Sequence, residues 1–260
     1  MISYQDEVFC QVCLGLSDYA TVDILVHCFY HRVGLHGGHP ILSISWPISP
    51  MPIQEINEVY GNMVFSLGST NTVLIRDGDT AIIHDPGILQ LGRYGTLKMR
   101  LAELGLSPED VDLVINSHCH YDHTESNYLF KGKPLLVHEE ELKYSDQLYW
   151  PEFTAAFMGI MDVQAFKGSM KVSDHVRIIE TVGHTPGSIT TLVDTEEGLV
   201  ALVGDAVIVK EDLLELRPPS VVTKNIAAEV AVESLKKIKA LNPVTVIPGH
   251  DAPFSPQGLK

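Results

Sequence analysis

The chain has 260 residues, 45% of them hydrophobic and 20% charged, a globular composition that excludes a disordered or fibrous protein. With 33 acidic against 18 basic residues its formal net charge is -15, a field that repels phosphate backbones and anionic surfaces, which disfavours nucleic acid and membranes and leaves a small-molecule substrate. Four cysteines are too few for a disulfide scaffold, the stretch Met1 to Cys13 holds Asp6 and Glu7 but no Lys or Arg, and no apolar run reaches membrane-spanning length, so a reducing cytoplasm is the expected location.

Residues 1–50 give the weakest pattern. Thr21 to Tyr30 reads as a strand and Ile41 to Trp46 as its neighbour, with Gly34, Gly37 and Gly38 marking the turn between them. His27, His31, His36 and His39 fit no recognised ligand spacing and read as the polar loop of a hairpin. Cys10 and Cys13 lack both a second pair for a zinc ribbon and the strand-then-helix context of a redox site, and read as ordinary thiols.

After Pro47, Pro50 and Pro52, strands are expected at 64–66, 71–76 and 80–84, with Asp77-Gly78-Asp79 as a tight hairpin turn. Leu97, Leu101 and Leu104 recur at helical spacing and predict an amphipathic helix within 91–104 that stops near Gly105. Ser107-Pro108-Glu109-Asp110 predicts a short capped turn, and Val111 to Asn116 a strand. Leu135 to His138 is a further strand. The segment from Tyr144 to Met170 carries Tyr149, Trp150, Phe153, Phe157, Met158, Met161 and Phe166, and reads as a packed helix or two, as an apolar wall of a substrate entrance, or as the surface of a homodimer. Strands follow at 175–182, 189–193 and 199–203, the last two joined by Glu196-Glu197-Gly198. A helix with Ile226, Val230, Ser234, Leu235, Ile238 and Leu241 on one side precedes the last strand, 244–247. No repeat, low-complexity tract or long linker divides the chain, so a single layered domain over residues 1–260 is expected.

The side chains able to hold a metal fall at the ends of these strands. His118, His120, Asp122 and His123 follow 111–116, His184 follows 175–182, Asp205 follows 199–203 and His250 follows 244–247. Imidazoles and carboxylates are costly to bury unless a proton partner or a cation satisfies them, and strand-end turns of packed sheets can gather them at one rim. Seven such groups exceed the four ligands of one tetrahedral ion, which implies two metals. Imidazole-rich ligation without thiolate suits Zn2+ best, with iron or manganese as alternatives. Cys119 alternates with His118 and His120, so in an extended segment its side chain points away from theirs and packs.

His118-x-His120-x-Asp122-His123, then Gly183-His184-Thr185-Pro186-Gly187-Ser188, Gly204-Asp205 and Pro248-Gly249-His250, in that order, resemble the metallo-β-lactamase superfamily, nearest its glyoxalase II and lactone-hydrolase branches. The resemblance runs from about Asn71 to His250. It implies an α+β fold, the αβ/βα four-layer sandwich, with His118, His120 and His184 on one metal, Asp122, His123 and His250 on the other, and Asp205 bridging both. Asp85 in His84-Asp85-Pro86-Gly87 matches the family's early Asp, which braces a ligand imidazole. A water shared by two cations is acidified to hydroxide near neutral pH, one cation polarises a substrate carbonyl, and Asp122 holds metal and accepts or shuttles the proton. No ligand position is substituted, which argues against a degenerate, inactive relative.

The expected activity is therefore metal-dependent hydrolysis of a small ester, lactone or thioester, with two Zn2+ per chain. Glyoxalase II proteins carry a helical C-terminal domain for the glutathione thioester, whereas here only Asp251 to Lys260 follow His250. Quorum-sensing lactonases place a tyrosine three residues after the bridging Asp, where this chain has Ile208. One alternative is a persulfide dioxygenase with a single iron on residues matching His118, His184 and Asp205, but its Gly-Arg-Thr-Asp stretch has no counterpart in Lys210 to Arg217. A metal-dependent RNA-cleaving nuclease is a second, disfavoured by the acidic charge. A metal-binding module without activity is the non-enzyme alternative.

Overall fold

A computed structural model of the chain describes residues 18–26, 29–36, 39–45, 63–87, 96–145, 160–219 and 226–257. The Cys10/Cys13 pair, His27, the prolines at 47, 50 and 52, the aromatic residues from Tyr149 to Phe157 and residues 220–225 lie outside the described residues.

Strand β1 (Thr21–Val26) is followed by β2 (Phe29–His36), β3 (His39–Ser45) and β4 (Met63–Ser69), which form an antiparallel three-stranded sheet in the order β3-β2-β4. β5 (Thr72–Asp77), β6 (Thr80–His84), β7 (Leu113–Ile115), β8 (Pro134–His138) and β9 (Asp162–Phe166) join β1 in a six-stranded sheet in the order β1-β5-β6-β7-β8-β9. β10 (Met170–Lys171), β11 (Val176–Glu180), β12 (Ile189–Thr195), β13 (Gly198–Gly204) and β14 (Thr245–Pro248) form a five-stranded sheet in chain order. Among the described residues the helices are α1 (Thr96–Glu103), α2 (Tyr121–Thr124), α3 (Glu139–Ser145), α4 (Lys210–Leu214) and α5 (Ala228–Ala240), with 3-10 turns at Pro108–Asp110 and Glu125–Phe130.

Strand side chains alternate between faces, and here both faces of each large sheet are apolar. Val73, Ile75, Ile82, Ile115 and Leu136 of the first sheet meet Ile178, Ile189, Val193, Val200, Leu202 and Ile247 of the second in one core. The intervening residues Leu74, Ile83, Val114, Leu135 and Val137 turn the other way and pack with Leu97 and Leu101 of α1 and with Phe130. On the far side of the second sheet, Leu192, Ala201, Val203 and Val246 pack with Leu213 of α4 and Leu235 and Ile238 of α5. Three cores separate four layers, helix, sheet, sheet, helix, which is the αβ/βα sandwich expected from the motifs. Each fully buried aliphatic contributes roughly 1.5–3 kcal/mol, so the layering is set by these alternating runs.

Several local expectations are corrected. The run from Thr21 to Tyr30 is two strands: β1 pairs with β5 in the large sheet, with a register shift between Ile24 and Val26, and β2 belongs to the small one. β-branched composition is continuous across the break and carries no information about which partner each half finds. Gly34 is no turn residue but lies inside β2, opposite Ile41. His31, His36 and His39 sit on the β2–β3 hairpin, with His36 opposite His39. Of the 144–170 segment, residues 144–145 end α3 and residues 160–170 hold β9, an edge strand parallel to β8, and the start of β10, while the stretch between, 146–159, lies outside the described residues. In α5 the buried positions are Ala231, Ser234, Leu235 and Ile238, while Val230 is exposed. A β-carbon on Gly183 would come within 2.8 Å of the Ala231 β-carbon, so the helix crosses the 183–184 turn on its smallest residue, anchored by Ser234 Oγ donating to Val182 O at 2.6 Å. No described helix is long and apolar enough to cross a membrane.

Candidate metal centre

β6, β7 and β8 run parallel in one sheet, and β13 and β14 run parallel in the other. β11 is antiparallel to β12, which is antiparallel to β13, so β11, β13 and β14 share a direction. The turns after β6, β7, β11, β13 and β14 carry Asp85, the 118–123 motif, His184, Asp205 and His250, and they converge on one rim of the sandwich. All seven sequence-identified ligand candidates are brought together, in two groups whose donor atoms lie within 4.8 Å of one another: His118, His120, His184 and Asp205, and Asp122, His123 and His250.

In the first group, His118 Nε2 lies 3.0 Å and His184 Nε2 2.8 Å from His120 Nδ1. In the second, His250 Nε2 lies 3.3 Å from Asp122 Oδ2. Asp205 stands between them. Its Oδ2 is 3.3 Å from His184 Nε2, while its Oδ1 is 3.2 Å from His123 Nε2 and 3.3 Å from His250 Nε2. One carboxylate thus turns one oxygen to each group. Cys119, in the middle of the motif, points into the helix-side core and is fully buried; burial first, then Glu141 and Asp85, push its thiol well above the ordinary range, so it packs as expected.

The donors are held from behind. Asp85 is buried at φ 48°, a left-handed conformation that asparagine and aspartate tolerate better than other side chains. It accepts from Ser117 N at 2.7 Å, Ser117 Oγ at 2.6 Å and His123 Nδ1 at 2.9 Å. With its proton given to Asp85, Ser117 Oγ is left to accept from His118 Nδ1 at 3.1 Å. His123 and His118 therefore both turn Nε2 toward the site, where a cation would take it unprotonated, and one carboxylate orients an imidazole in each group. Gly249 is required by close approach, since a β-carbon there would fall on Asp205 Oδ1. The His250 turn is tied across the sandwich by Asn71, whose Nδ2 donates to Pro248 O at 2.7 Å and Asp251 O at 2.8 Å, and by Thr70 Oγ1 to Gly249 O at 3.1 Å. The loop after Asp205 is pinned by Asp212, which accepts from Ile208 N and Val209 N and pairs with Arg217.

Ser117, Asn71, Asp212 and Glu141 were not singled out by sequence reasoning. Ser117 directly precedes the motif, a positional signal that was available. Glu141 gave none, because it is the last of three consecutive acids and nothing in the sequence distinguishes it from the other two. It is in fact buried, and accepts from Cys119 N at 2.9 Å and Gly187 N at 2.8 Å.

The donor set fits divalent cations. His123 Nε2 and Asp205 Oδ1 are buried 3.2 Å apart without a well-formed hydrogen bond to each other or to any other group, an arrangement that is costly unless something else satisfies both. The nitrogens of the first group are separated by distances near the ~3.3 Å between two nitrogens on one tetrahedral zinc. Burial, then the neighbouring imidazoles, hold His118 well below the usual histidine range and His120 down at about 3, so both are neutral and able to ligate. Burial opposes charge on His123, yet the Asp205 and Asp85 carboxylates hold it up at about 10. The same contest, with Asp205 and Asp122 as the carboxylates, raises His250 well above its ordinary value.

These two protons have a measurable consequence. In metal-free protein His123 and His250 are cationic at pH 7, and since the folded value of His123 (about 10) exceeds its ordinary 6.5, its contribution to stability is complete below about 6.5 and lost as pH rises through 10. Metal uptake at pH 7 is expected to release about two protons per chain, one from each imidazole. Titration calorimetry in buffers of different ionisation enthalpy counts them. Uptake with no proton release would refute this charge assignment.

Residues 66–250 match the family described as the Metallo-beta-lactamase superfamily. A protein of Methanocaldococcus jannaschii named as a probable metallo-hydrolase is 37% identical over 151 residues, 58% of this chain and 62% of that protein. An N-acyl homoserine lactonase of Bacillus cereus is 31% identical over 157 residues, again 58% of this chain and 60% of the relative. The matched stretch thus spans less than two thirds of either relative's length. A solved N-acyl homoserine lactone hydrolase, with the product N-hexanoyl-L-homoserine bound at its catalytic metal center, superposes with TM-score 0.61 at 19% identity, covering 86% of this chain and 92% of that one; at this identity the likeness is one of fold.

Proposed function

The chain belongs to the metallo-β-lactamase superfamily, and on that premise we propose that it is a single-domain dinuclear metal hydrolase that opens a small lactone, ester or thioester bond. His118, His120 and His184 would hold the first cation and Asp122, His123 and His250 the second, with Asp205 placed to serve both. The observation that carries this reading is the placement of the two Asp205 oxygens, one toward each histidine group. Two Zn2+ ions held there would supply Lewis acidity for a carbonyl oxygen and a water acidified near neutral pH.

The chain's own groups do the remainder. Asp122 has 19% of its side chain exposed against 7% for Asp205, so of the two carboxylates it is the one open to substrate. Burial works to raise it, but His250 and His123 bring it down to about 2, which keeps it ionised at neutral pH and able to accept a proton from the attacking water and return it to the leaving oxygen or sulfur. Ile208 sets an apolar side chain where a hydroxyl donor is absent, and its carbonyl is engaged by His250 N at 3.1 Å. The lactonase relatives favour a lactone among the three bonds.

Elemental analysis of purified protein is the deciding measurement, with about two zinc ions per chain expected. A single iron per chain would overturn the reading in favour of a persulfide dioxygenase. A panel of lactones, thioesters, a β-lactam and a short RNA, assayed with metal restored, should show turnover among the lactones and thioesters and none of the β-lactam or the RNA.

A further inference from the structure

Glu139, Glu140 and Glu141 open α3 as three adjacent acids, but they meet different surroundings. Glu140 takes Lys143 Nζ at 2.6 Å and Glu139 takes Lys167 Nζ at 3.2 Å, both at the surface. Glu141 is fully buried and forms no ion pair with a lysine or arginine among the described residues. A buried carboxylate without a cation persists only where hydrogen-bond donors satisfy it. The donors here are the backbone amides of Cys119, 2.9 Å from Oε2, and of Gly187, 2.8 Å from Oε1, together with the hydroxyl of Thr185.

Those amides belong to two turns that are joined, outside the ligand positions, by one backbone hydrogen bond, Ile189 N donating to Ser117 O at 3.0 Å. Cys119 lies between His118 and His120 in the turn after β7, in the six-stranded sheet. Gly187 lies three residues after His184 in the turn after β11, in the five-stranded sheet. Strand register sets distances within a sheet but not between sheets. The separation of His184 from His118 and His120 would otherwise rest on that single bond, which lies outside both ligand segments, and on how the two sheets sit over their common core. One carboxylate, with an oxygen on each turn, spans that gap. The turns are pressed against α3 so closely that a β-carbon on Gly187 would come within 2.7 Å of Glu141 N and 2.8 Å of its Cγ. The second group is braced by other means: His123 by Asp85, and the His250 turn by Thr70 and Asn71.

We propose that Glu141 is a positioning residue for the first cation position, clamping the His118–His120 turn to the His184 turn so that three imidazole nitrogens converge. The inference rests on the metal-centre reading above and deepens it: it assigns the geometry of one position to a residue that touches neither cation nor substrate.

Glu141→Gln preserves volume and one acceptor oxygen but sets an amide NH2 against one of the two N–H donors. Titration of wild-type and variant protein with Zn2+ against a chelator, and with Co2+ followed by its visible spectrum, resolves the two positions. The expected result is a first-position affinity lowered about 10–100-fold with a changed Co2+ spectrum, and a second-position affinity within about two-fold of wild type by the same comparison. Equal affinities in variant and wild type, or equal losses at both positions, would overturn the role. A wild type that binds no metal would instead refute the metal-centre reading itself. Should the variant fail to fold, amide exchange in metal-free wild-type protein still decides: Cys119 and Gly187 N–H are expected to be protected, and exchange at open-loop rates would show that the clamp is not formed.

Discussion

Asp205→Ala is expected to lower kcat/KM by at least about 10^4-fold, since enzymatic accelerations begin near 10^6 and the metal pair would supply most of this one. Bound metal should fall from about two ions per chain to fewer than one. The size follows from position. Asp205 is the one carboxylate with an oxygen within 3.3 Å of a histidine in each group, so its loss removes a ligand from both cations at once. It also leaves His250 facing Asp122 and His123 facing Asp85, in a site that is almost wholly buried. Breaking buried pairs in this way costs roughly 3–5 kcal/mol, so the metal-free variant should also melt earlier than metal-free wild type. Elemental analysis and hydrolysis assays check the first claim, thermal unfolding the second. Retained hydrolysis with two metals bound would sink the bridging role.

Asp85→Asn ranks second, with metal affinity or activity reduced about 10–100-fold. Asparagine keeps the volume and tolerates the positive φ of 48° at this position, so backbone strain is not the cause. What changes is acceptor capacity. Three donors, Ser117 N, Ser117 Oγ and His123 Nδ1, now converge on two carboxylate oxygens, and an amide supplies one oxygen and two competing hydrogens. His123 then loses its orienting partner directly, and His118 loses its own through Ser117, so both cation positions should weaken. This separates Asp85 from Glu141, whose replacement should weaken one. Asp85→Ala should fall further, because an alanine at positive φ adds roughly 1–2 kcal/mol of backbone cost. Chelator competition on the Asn variant, read with thermal unfolding, checks the prediction, and wild-type affinity at both positions would refute it.

The part of this site that was legible in the sequence is the part built from local segments. His118, His120, Asp122, His123, His184, Asp205 and His250 each follow an apolar run within a few residues, so locating the strand locates the turn and the turn locates the ligand. The alternation of Val73, Leu74 and Ile75, or of Leu135, Leu136 and Val137, likewise shows both faces of a strand to be apolar without reference to any other part of the chain. What failed were readings of strand and helix detail that depended on a particular partner. The run at 21–30 has one composition but two destinations, β1 and β2. Val230 looked like the buried member of its helix, and the close crossing at Gly183 put Ala231 there instead.

The sequence by itself determined the kinds of donors and their number, because spacing within a turn and the chemistry of imidazole and carboxylate are local properties. It also determined the layered class of fold, through strand and helix periods that are equally local. Only the tertiary structure decided which oxygen of Asp205 faces which histidines, that Asp85 reaches His123 directly and His118 through Ser117, and that Glu141 alone of three consecutive acids is buried between two turns. Those facts are distances between residues far apart in the chain, across neighbouring strands for Asp85 and across the two sheets for Asp205 and Glu141, and they arise when strands pair and sheets pack face to face, steps that no pattern along the chain encodes.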